Sequence, residues 1–220
     1  MATIAPLLPG LPDLAPLRKG RRRCAPRLTH GWTLKVVLPQ VPDPGLYDFL
    51  MLWYAHVRAC GEHAGLWGEA GLWPSRFVGT FATLPLVLLH HDRMPWTHAD
   101  GLMMVVWLDD IVDGVRARLH QWVGMPYRHP RVSTALGHFL LRYIFEEMGF
   151  QLVEGRTPIG NRLALWYARR LGFRPVVTLP YGEWAWTADG TKTLTPVVQS
   201  MLLAEDWHRA QEASGGNVVF

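Results

Sequence analysis

Apolar residues recur along the chain in two rhythms, short runs of strand length and longer stretches with a period near 3.6, and their succession predicts the order of elements. Thr33 to Leu38 is a β-branched and apolar run closed by Pro39, which predicts a strand, and Pro42 to Gly45 follows as a turn. From Leu46 on, Phe49, Leu50, Trp53, Tyr54 and Val57 recur at helical spacing, with Gly61 as the stop. Residues 61–83 carry glycine and tryptophan without a period and read as loop with room for one short helix. Leu84 to His90 and Leu102 to Val112 are apolar runs of strand length, parted by a polar segment with Pro95.

Asp113-Gly114 then predicts a two-residue hairpin, because both residues tolerate the positive φ such a turn needs, and the return strand is Val115 to Met125. If Val112 faces Val115, Asp109 faces Arg118 and Trp107 faces His120, with these four side chains on one side of the sheet. Asp110 falls on the other side. The pairing gives Asp109 a structural partner in Arg118.

Beyond Pro126 and Pro130, Val132, Ala135, Leu136, Phe139, Leu140, Tyr143, Ile144 and Met148 form a helical stripe ended by Gly149. Gln151 to Glu154 is short and extended. Asn161 suits a helix N-cap, the next helix runs to Leu171, and Gly172 suits its stop. Arg174 to Thr187, a turn at Asp189-Gly190, and Leu194 to Leu203 close the chain as a pair of strands. Strand, helix, a three-strand meander, helix, strand, helix and two final strands make a mixed α/β domain.

Composition leaves that picture intact: 49% apolar residues, 18% charged and 11 tryptophans describe a globular chain. The net charge of +4 changes meaning once localised. Arg18, Lys19, Arg21, Arg22, Arg23 and Arg27 hold six positive charges, so the rest of the chain nets −2 and offers no nucleic-acid-binding face of its own. Residues 1–31, with prolines, glycines and this cluster, read as a disordered or irregular basic leader, the only part with a charge suited to nucleic acid. The domain then spans 32–210 and a tail 211–220. Cys24 and Cys60 form neither a ligand set nor a disulfide framework, which fits a reducing cytoplasm. No secretory signal or run of membrane-spanning length is present, so no membrane partner is expected, and nothing in the pattern encodes an oligomeric state.

Asn161 to Phe173 reads Asn-Arg-Leu-Ala-Leu-Trp-Tyr-Ala-Arg-Arg-Leu-Gly-Phe, with Ala164 three residues after Asn161, Tyr167 three further on, and Gly172-Phe173 closing the stretch. This resembles the late motif of the GNAT acyltransferase superfamily. Asp189-Gly190 and Glu205-Asp206-Trp207 look like the closing elements of the branch that holds ribosomal-protein and antibiotic N-acetyltransferases and phage-encoded relatives. The resemblance covers about Trp32 to His208 and is strongest after His129. It implies a mostly antiparallel central sheet flanked by helices and an acyl-CoA co-substrate, acetyl-CoA by default. Under it, the strand Arg118 to Met125, with Val123, Gly124 and Met125 at its end, lends backbone groups to the pantetheine arm. The loop Tyr127 to Ala135 wraps the pyrophosphate. The family's Arg/Gln-x-x-Gly-x-Gly/Ala is absent there, and no glycine lets the backbone approach. Arg128 and Arg131 are the side chains, and Ser133 and Thr134 the hydroxyls, that stand for it. Asn161 would contact the cofactor's amide chain and Tyr167 would protonate the departing thiolate, its pKa near 10 keeping the proton until a basic sulfur develops. Singly, a plain helix cap and a core aromatic describe these two residues as well; their conjunction with Gly172-Phe173 favours the functional roles.

Transfer to an amine needs a proton acceptor, and His120 on the presumed cofactor strand is the first candidate. A histidine simply stacked on Trp107 is the plain alternative, and Asp110 is a weaker candidate for the base. His90, His91, Asp92 and His98 lack metal-ligand spacing, so no metal is expected. No Gly-x-Ser-x-Gly elbow and no Gly-x-x-x-x-Gly-Lys loop is present, which argues against a hydrolase or a P-loop nucleotidase. Two readings therefore stand: an acyl-CoA-dependent N-acyltransferase acting on a small-molecule or peptide amine, or a catalytically degenerate GNAT-fold binding or structural protein, phage-derived in one version.

Overall fold

The structure, a computed structural model, describes residues 32–37, 45–60, 73–91, 101–124, 127–186 and 192–213. Its elements in order are β1 (Trp32–Val37), α1 (Leu46–Ala59), α2 (Pro74–Phe81), β2 (Leu86–His91), β3 (Leu102–Val112), β4 (Arg116–Val123), α3 (Pro130–Arg142), β5 (Leu152–Pro158), α4 (Arg162–Arg170), β6 (Arg174–Trp186), β7 (Lys192–Leu203) and α5 (Ala204–Ala213). The strands form one sheet in the order β1-β2-β3-β4-β5-β7-β6. Every pairing is antiparallel except β4 with β5.

One face of β2–β4 meets α1 and α2. The apolar stripe read from α1 is the buried one, Phe49, Leu50, Trp53, Tyr54 and Val57. Trp53 sits at the centre, with ring centroids of Phe77 and Phe81 at 5.0 Å, Trp122 at 6.0 Å and Trp107 at 6.2 Å. Edge-to-face packing of this kind uses the ring quadrupoles as well as the buried area. The other face packs Val87, Leu89, Val106, Leu108, Ala117 and Val153 against Leu136, Leu140, Ile144, Leu171 and Trp207.

α3 passes into a π-helical segment at Tyr143–Glu147. Tyr143, Ile144 and Phe145 are consecutive and all buried. The wider turn is closed by Met148 N–H donating to the Tyr143 carbonyl at 3.1 Å.

The hairpin departs from its expected form in an instructive way. Val112 pairs with Arg116 rather than Val115, so the loop has three residues, yet Asp109 still faces Arg118 and Trp107 still faces His120. A bulge between Asp109 and Val112 absorbs the extra residue, and Asp110 there takes φ 48°. The return strand is Arg116–Val123, shorter than Val115 to Met125. Strand β5 runs to Pro158 instead of stopping at Glu154, because β7 pairs with it along its whole length. α3 starts at Pro130, two residues before the apolar stripe, since proline's fixed φ suits the first helical position. The segment after Leu203 is helical, α5, where only an acidic-Trp element is expected from the residues, and it runs through residue 210 to Ala213. The leader, Cys24, Met125, Asp92, His98 and the Asp189-Gly190 turn lie outside the described residues.

Candidate functional site

β4 and β5 pair only at Arg116–Leu152, Ala117–Val153 and Arg118–Glu154. Both strands continue, β4 to Val123 and β5 to Pro158, without pairing, so the sheet opens into a gap. The Gly124 N–H donates to the Met103 carbonyl at 2.9 Å. Even-numbered residues of β4 therefore direct their backbone groups to β3, and Leu119, Gln121 and Val123 direct theirs into the gap. Arg128 Nε closes the far end by donating to the Val123 carbonyl at 2.9 Å. Gly124 is required for packing: a Cβ there would collide with the Leu102 carbonyl oxygen.

On the face of the gap shared with α3 and α4 stands Tyr167. Its hydroxyl donates to the main-chain oxygen of Ser133 at 2.9 Å. The ring is half-buried while the hydroxyl end lies fully inside. Burial pushes the phenol well above the ordinary tyrosine value, and a contact from the Gln121 side chain draws it part of the way back. The approach depends on Gly137, because a Cβ at that position would occupy the space of the Tyr167 hydroxyl and lie 2.8 Å from both Leu171 Cδ atoms. α4 is otherwise a surface helix with no fully buried residue. Asn161 caps it, its Oδ1 accepting from Ala164 N–H at 3.1 Å. Gly172 ends it at φ 97°, with Phe173 N–H donating to the Ala168 carbonyl at 3.0 Å.

On the opposite face, His120 stacks on Trp107 at 5.2 Å and 7°. Its Nε2 lies 3.2 Å from Asp109 Oδ2, at an angle that falls short of an aligned hydrogen bond. Arg118 Nε donates to Asp109 Oδ1 at 2.6 Å. Burial raises the Asp109 carboxyl, but His120 and Arg118 outweigh it and hold it below its usual 3.8. Asp110 does not turn away as the strict alternation required: the bulge brings it to Arg116 at 3.0 Å, and Arg116 also reaches Glu154 at 3.3 Å on the same face. His120 and Tyr167 thus flank the gap from its two sides.

The α3 N-terminus is partly used internally, with no partner for the Val132 N–H among the described residues. Pro130 has no N–H, the Arg131 N–H meets His129 Nδ1 at 3.3 Å, and the Ser133 N–H meets the His129 carbonyl at 2.9 Å. Ser133 and Thr134 lie within the first turns of the helix, not in a loop before it. Ser133 Oγ donates to the His129 carbonyl at 3.2 Å, and Thr134 Oγ1 is buried without a partner among the described residues. Arg131 is exposed. His90 is buried at the end of β2, and no group of three potential metal ligands occurs among the described residues. No described helix is long and apolar enough to cross a membrane.

No protein-family model matches the chain, and no curated protein does. Solved structures do. Ribosomal-protein-S5-alanine acetyltransferase from Vibrio fischeri aligns at 8% identity over 80% of this chain and 94% of that one, with a TM-score of 0.57. Spermidine N-acetyltransferase from Vibrio cholerae, in complex with CoA and spermine, aligns at 11% over 80% and 98%, TM-score 0.58. A probable acetyltransferase of the GNAT family from Chromobacterium violaceum aligns at 18% over 80% and 90%, TM-score 0.57. The fold is that of the GNAT acetyltransferases. Sequence reasoning named Tyr167, Asn161 and His120 but missed Gln121 and Gly137. Gln121 is a polar residue at a position that alternation assigns to the buried face with Ala117 and Leu119, and Gly137 is a glycine inside a strong helical stripe; either anomaly is a usable signal.

Proposed function

We propose that the chain is an acyl-CoA-dependent N-acyltransferase, with acetyl-CoA as the default donor and an amine as the acceptor. The observation that carries this is the gap between β4 and β5, with Tyr167 on one face and the His120–Asp109 pair on the other. Backbone groups of Leu119, Gln121 and Val123 suit an extended, amide-bearing chain, which can pair with a strand edge as another strand would. A pantetheine arm fits that edge. The pyrophosphate fits α3 less well, since Pro130, Arg131 and Ser133 offer it no free amide; Arg131, with the Thr134 hydroxyl, would carry that charge by side chain.

An acyl thioester supplies the activated carbonyl. His120 takes the amine's proton at Nδ1, the nitrogen turned from Asp109, whose carboxylate stabilises the imidazolium that forms. Tyr167 holds its proton in the resting state against Ser133 and gives it to the departing sulfur. A phenol made less acidic by burial keeps that proton until a strong base appears. Asn161 is first a helix cap, and its amide nitrogen is left for the arm.

Thermal shift with acetyl-CoA and with CoA tests the reading, because a ligand of the folded state at 100-fold its Kd adds about 2.7 kcal/mol of stability. No shift at millimolar concentration overturns it. The missing glycines of the 127–135 stretch and the partly consumed amides of α3 favour the second reading, a GNAT-fold binding or structural protein without catalysis, and that outcome would select it.

A further inference from the structure

Strand β5 continues four residues, to Pro158, beyond the point at which it leaves β4, and the second of them, Arg156, has no role in the acyl-transfer scheme above. Side chains alternate along β5. Val153 is buried with the α3 face, and Glu154 points to the α1 face, where it meets Arg116 at 3.3 Å and accepts from Gln199 Nε2 at 3.2 Å. Gly155 returns to the Phe173 side, its Cβ position 3.8 Å from that ring. Arg156 therefore shares the face of Glu154, Arg116, Arg118 and His120. Extending the register past Arg118–Glu154 sets Arg156 opposite His120 across the gap.

The acids on this face are already engaged. Asp109 holds Arg118 and His120, Asp110 holds Arg116, and Glu154 holds Arg116 and Gln199. Arg156 has no ion pair or side-chain hydrogen bond among the described residues, and its Nε is buried without a partner. A guanidinium is charged at every physiological pH and presents a planar fork matched to a carboxylate. A structural arginine would have taken one of these neighbouring acids.

We infer that Arg156 binds an anionic group of the acyl acceptor, and that this group is a carboxylate, making the acceptor an amino-acid-like amine. The proposal rests on the acyl-transfer reading. A carboxylate seated on Arg156 leaves the amine on the His120 side of the gap, where its proton is to be taken. One fork with one charge suits a carboxylate; a phosphate dianion calls for a second cation, and Arg116 and Arg118 are committed.

The full chain is assayed with acetyl-CoA and matched amines: phenylalanine against phenethylamine, lysine against cadaverine, and O-phosphoethanolamine against ethanolamine. The wild type should favour the carboxylate member of each of the first two pairs in kcat/KM by at least about tenfold, mainly through KM, which corresponds to about 1.4 kcal/mol. In Arg156→Gln the ratio should collapse, and Arg156→Lys should recover part of it. Comparing ratios between proteins cancels the lower basicity of the amino-acid nitrogen, which acts alike on both. Calorimetry with N-acetylphenylalanine gives a second readout, with binding expected in the wild type and lost in Arg156→Gln; the melting temperature of each variant verifies folding. Acetylation with an unchanged ratio, or with the phosphate amine preferred, overturns the carboxylate site and leaves acyl transfer standing. Arg156-dependent binding of N-acetylphenylalanine without acetylation of any amine keeps the site and removes the transfer reading. Neither result removes both.

Discussion

α3 and α4 both reach the gap in the sheet, and they are built on opposite terms. α3 begins buried: Ser133, Thr134, Ala135, Leu136 and Gly137 are all inside, and the Arg131 and Ser133 amides are satisfied by His129. α4 buries no residue fully, and holds to the domain through Tyr167, Ala168 and the turn at Leu171 to Phe173. The stretch with the strong family pattern is therefore the loosely packed one, while the stretch that lacks the pattern is fixed by the core. A helix locked into a core can dispense with free amides. A surface helix keeps its place only through a few specific contacts, so each of those residues is demanding. The point where the two meet, the Tyr167 hydroxyl on the Ser133 carbonyl, serves both fold and proposed chemistry.

The largest expected effect separates those two services. Tyr167→Phe should lower turnover by about 100-fold or more if the phenol is the acid. As a tie between helices alone, the hydroxyl is worth about 1 kcal/mol of stability and little rate. Steady-state kinetics beside urea denaturation decides, and an unchanged rate removes Tyr167 as the acid. Next comes Gly137→Ala. A methyl group there meets the hydroxyl of Tyr167 and the end of Leu171, so a loss of about 1–3 kcal/mol is expected even though alanine is the better helix former by about 1 kcal/mol. A stability gain in urea would mean that α4 moves freely off α3, and the contrast drawn above would fail.

How much of this was legible in the sequence follows from the same physics. The α1 stripe, the Asp109–Arg118 and Trp107–His120 pairs and the Asn161 and Gly172 caps were readable, because each is set by local periodicity or by a residue's own backbone preference. The parallel pairing of β4 with β5 was not, since nothing local marks a strand's partner when the connection passes through a helix. Arg156 was missed for a related reason: the extended run was expected only over Gln151 to Glu154, and pairing with β7 carries it on to Pro158. The bulge at Asp110 escaped because turn chemistry gives the turn's residues without its length. α5 escaped because its buried contacts, Ala204 and Trp207, are too few to form a periodic stripe.

A smaller effect sharpens the contrast at the two helix starts. Asn161→Ala removes the only side-chain cap of a helix that has little core to hold it, so a loss of about 1 kcal/mol and faster amide exchange through Arg162–Arg170 are expected. His129→Ala at the start of α3 removes an exposed cap from a helix whose next turns are buried. It should leave exchange in α3 nearly unchanged. Equal fraying of both helices would show that packing does not distinguish them.

The smallest expected effect concerns a titratable group of α3 that feels a charge on α4. His138 of α3 has its Nδ1 buried without a partner among the described residues, and burial, with a further push from the Arg170 charge on α4, lowers its pKa below the ordinary 6.5. The folded state therefore binds fewer protons than the unfolded chain below pH 6.5. His138 contributes nothing to pH dependence above that point, and stability is lost as the pH falls from 6.5 through the lowered folded value, at no more than about 1.4 kcal/mol per unit. His138→Gln deletes this titration and leaves every carboxylate in place. The difference in denaturation free energy between wild type and His138→Gln should be flat from pH 8 to about 6.5 and then move in favour of the variant toward pH 5. The Asp109 carboxyl, held below 3.8, cannot produce that slope, because its own loss of stability comes only at lower pH and is common to both proteins. Parallel curves for the two proteins would mean that His138 is free to protonate in the fold, and that neither burial nor the Arg170 charge opposes it.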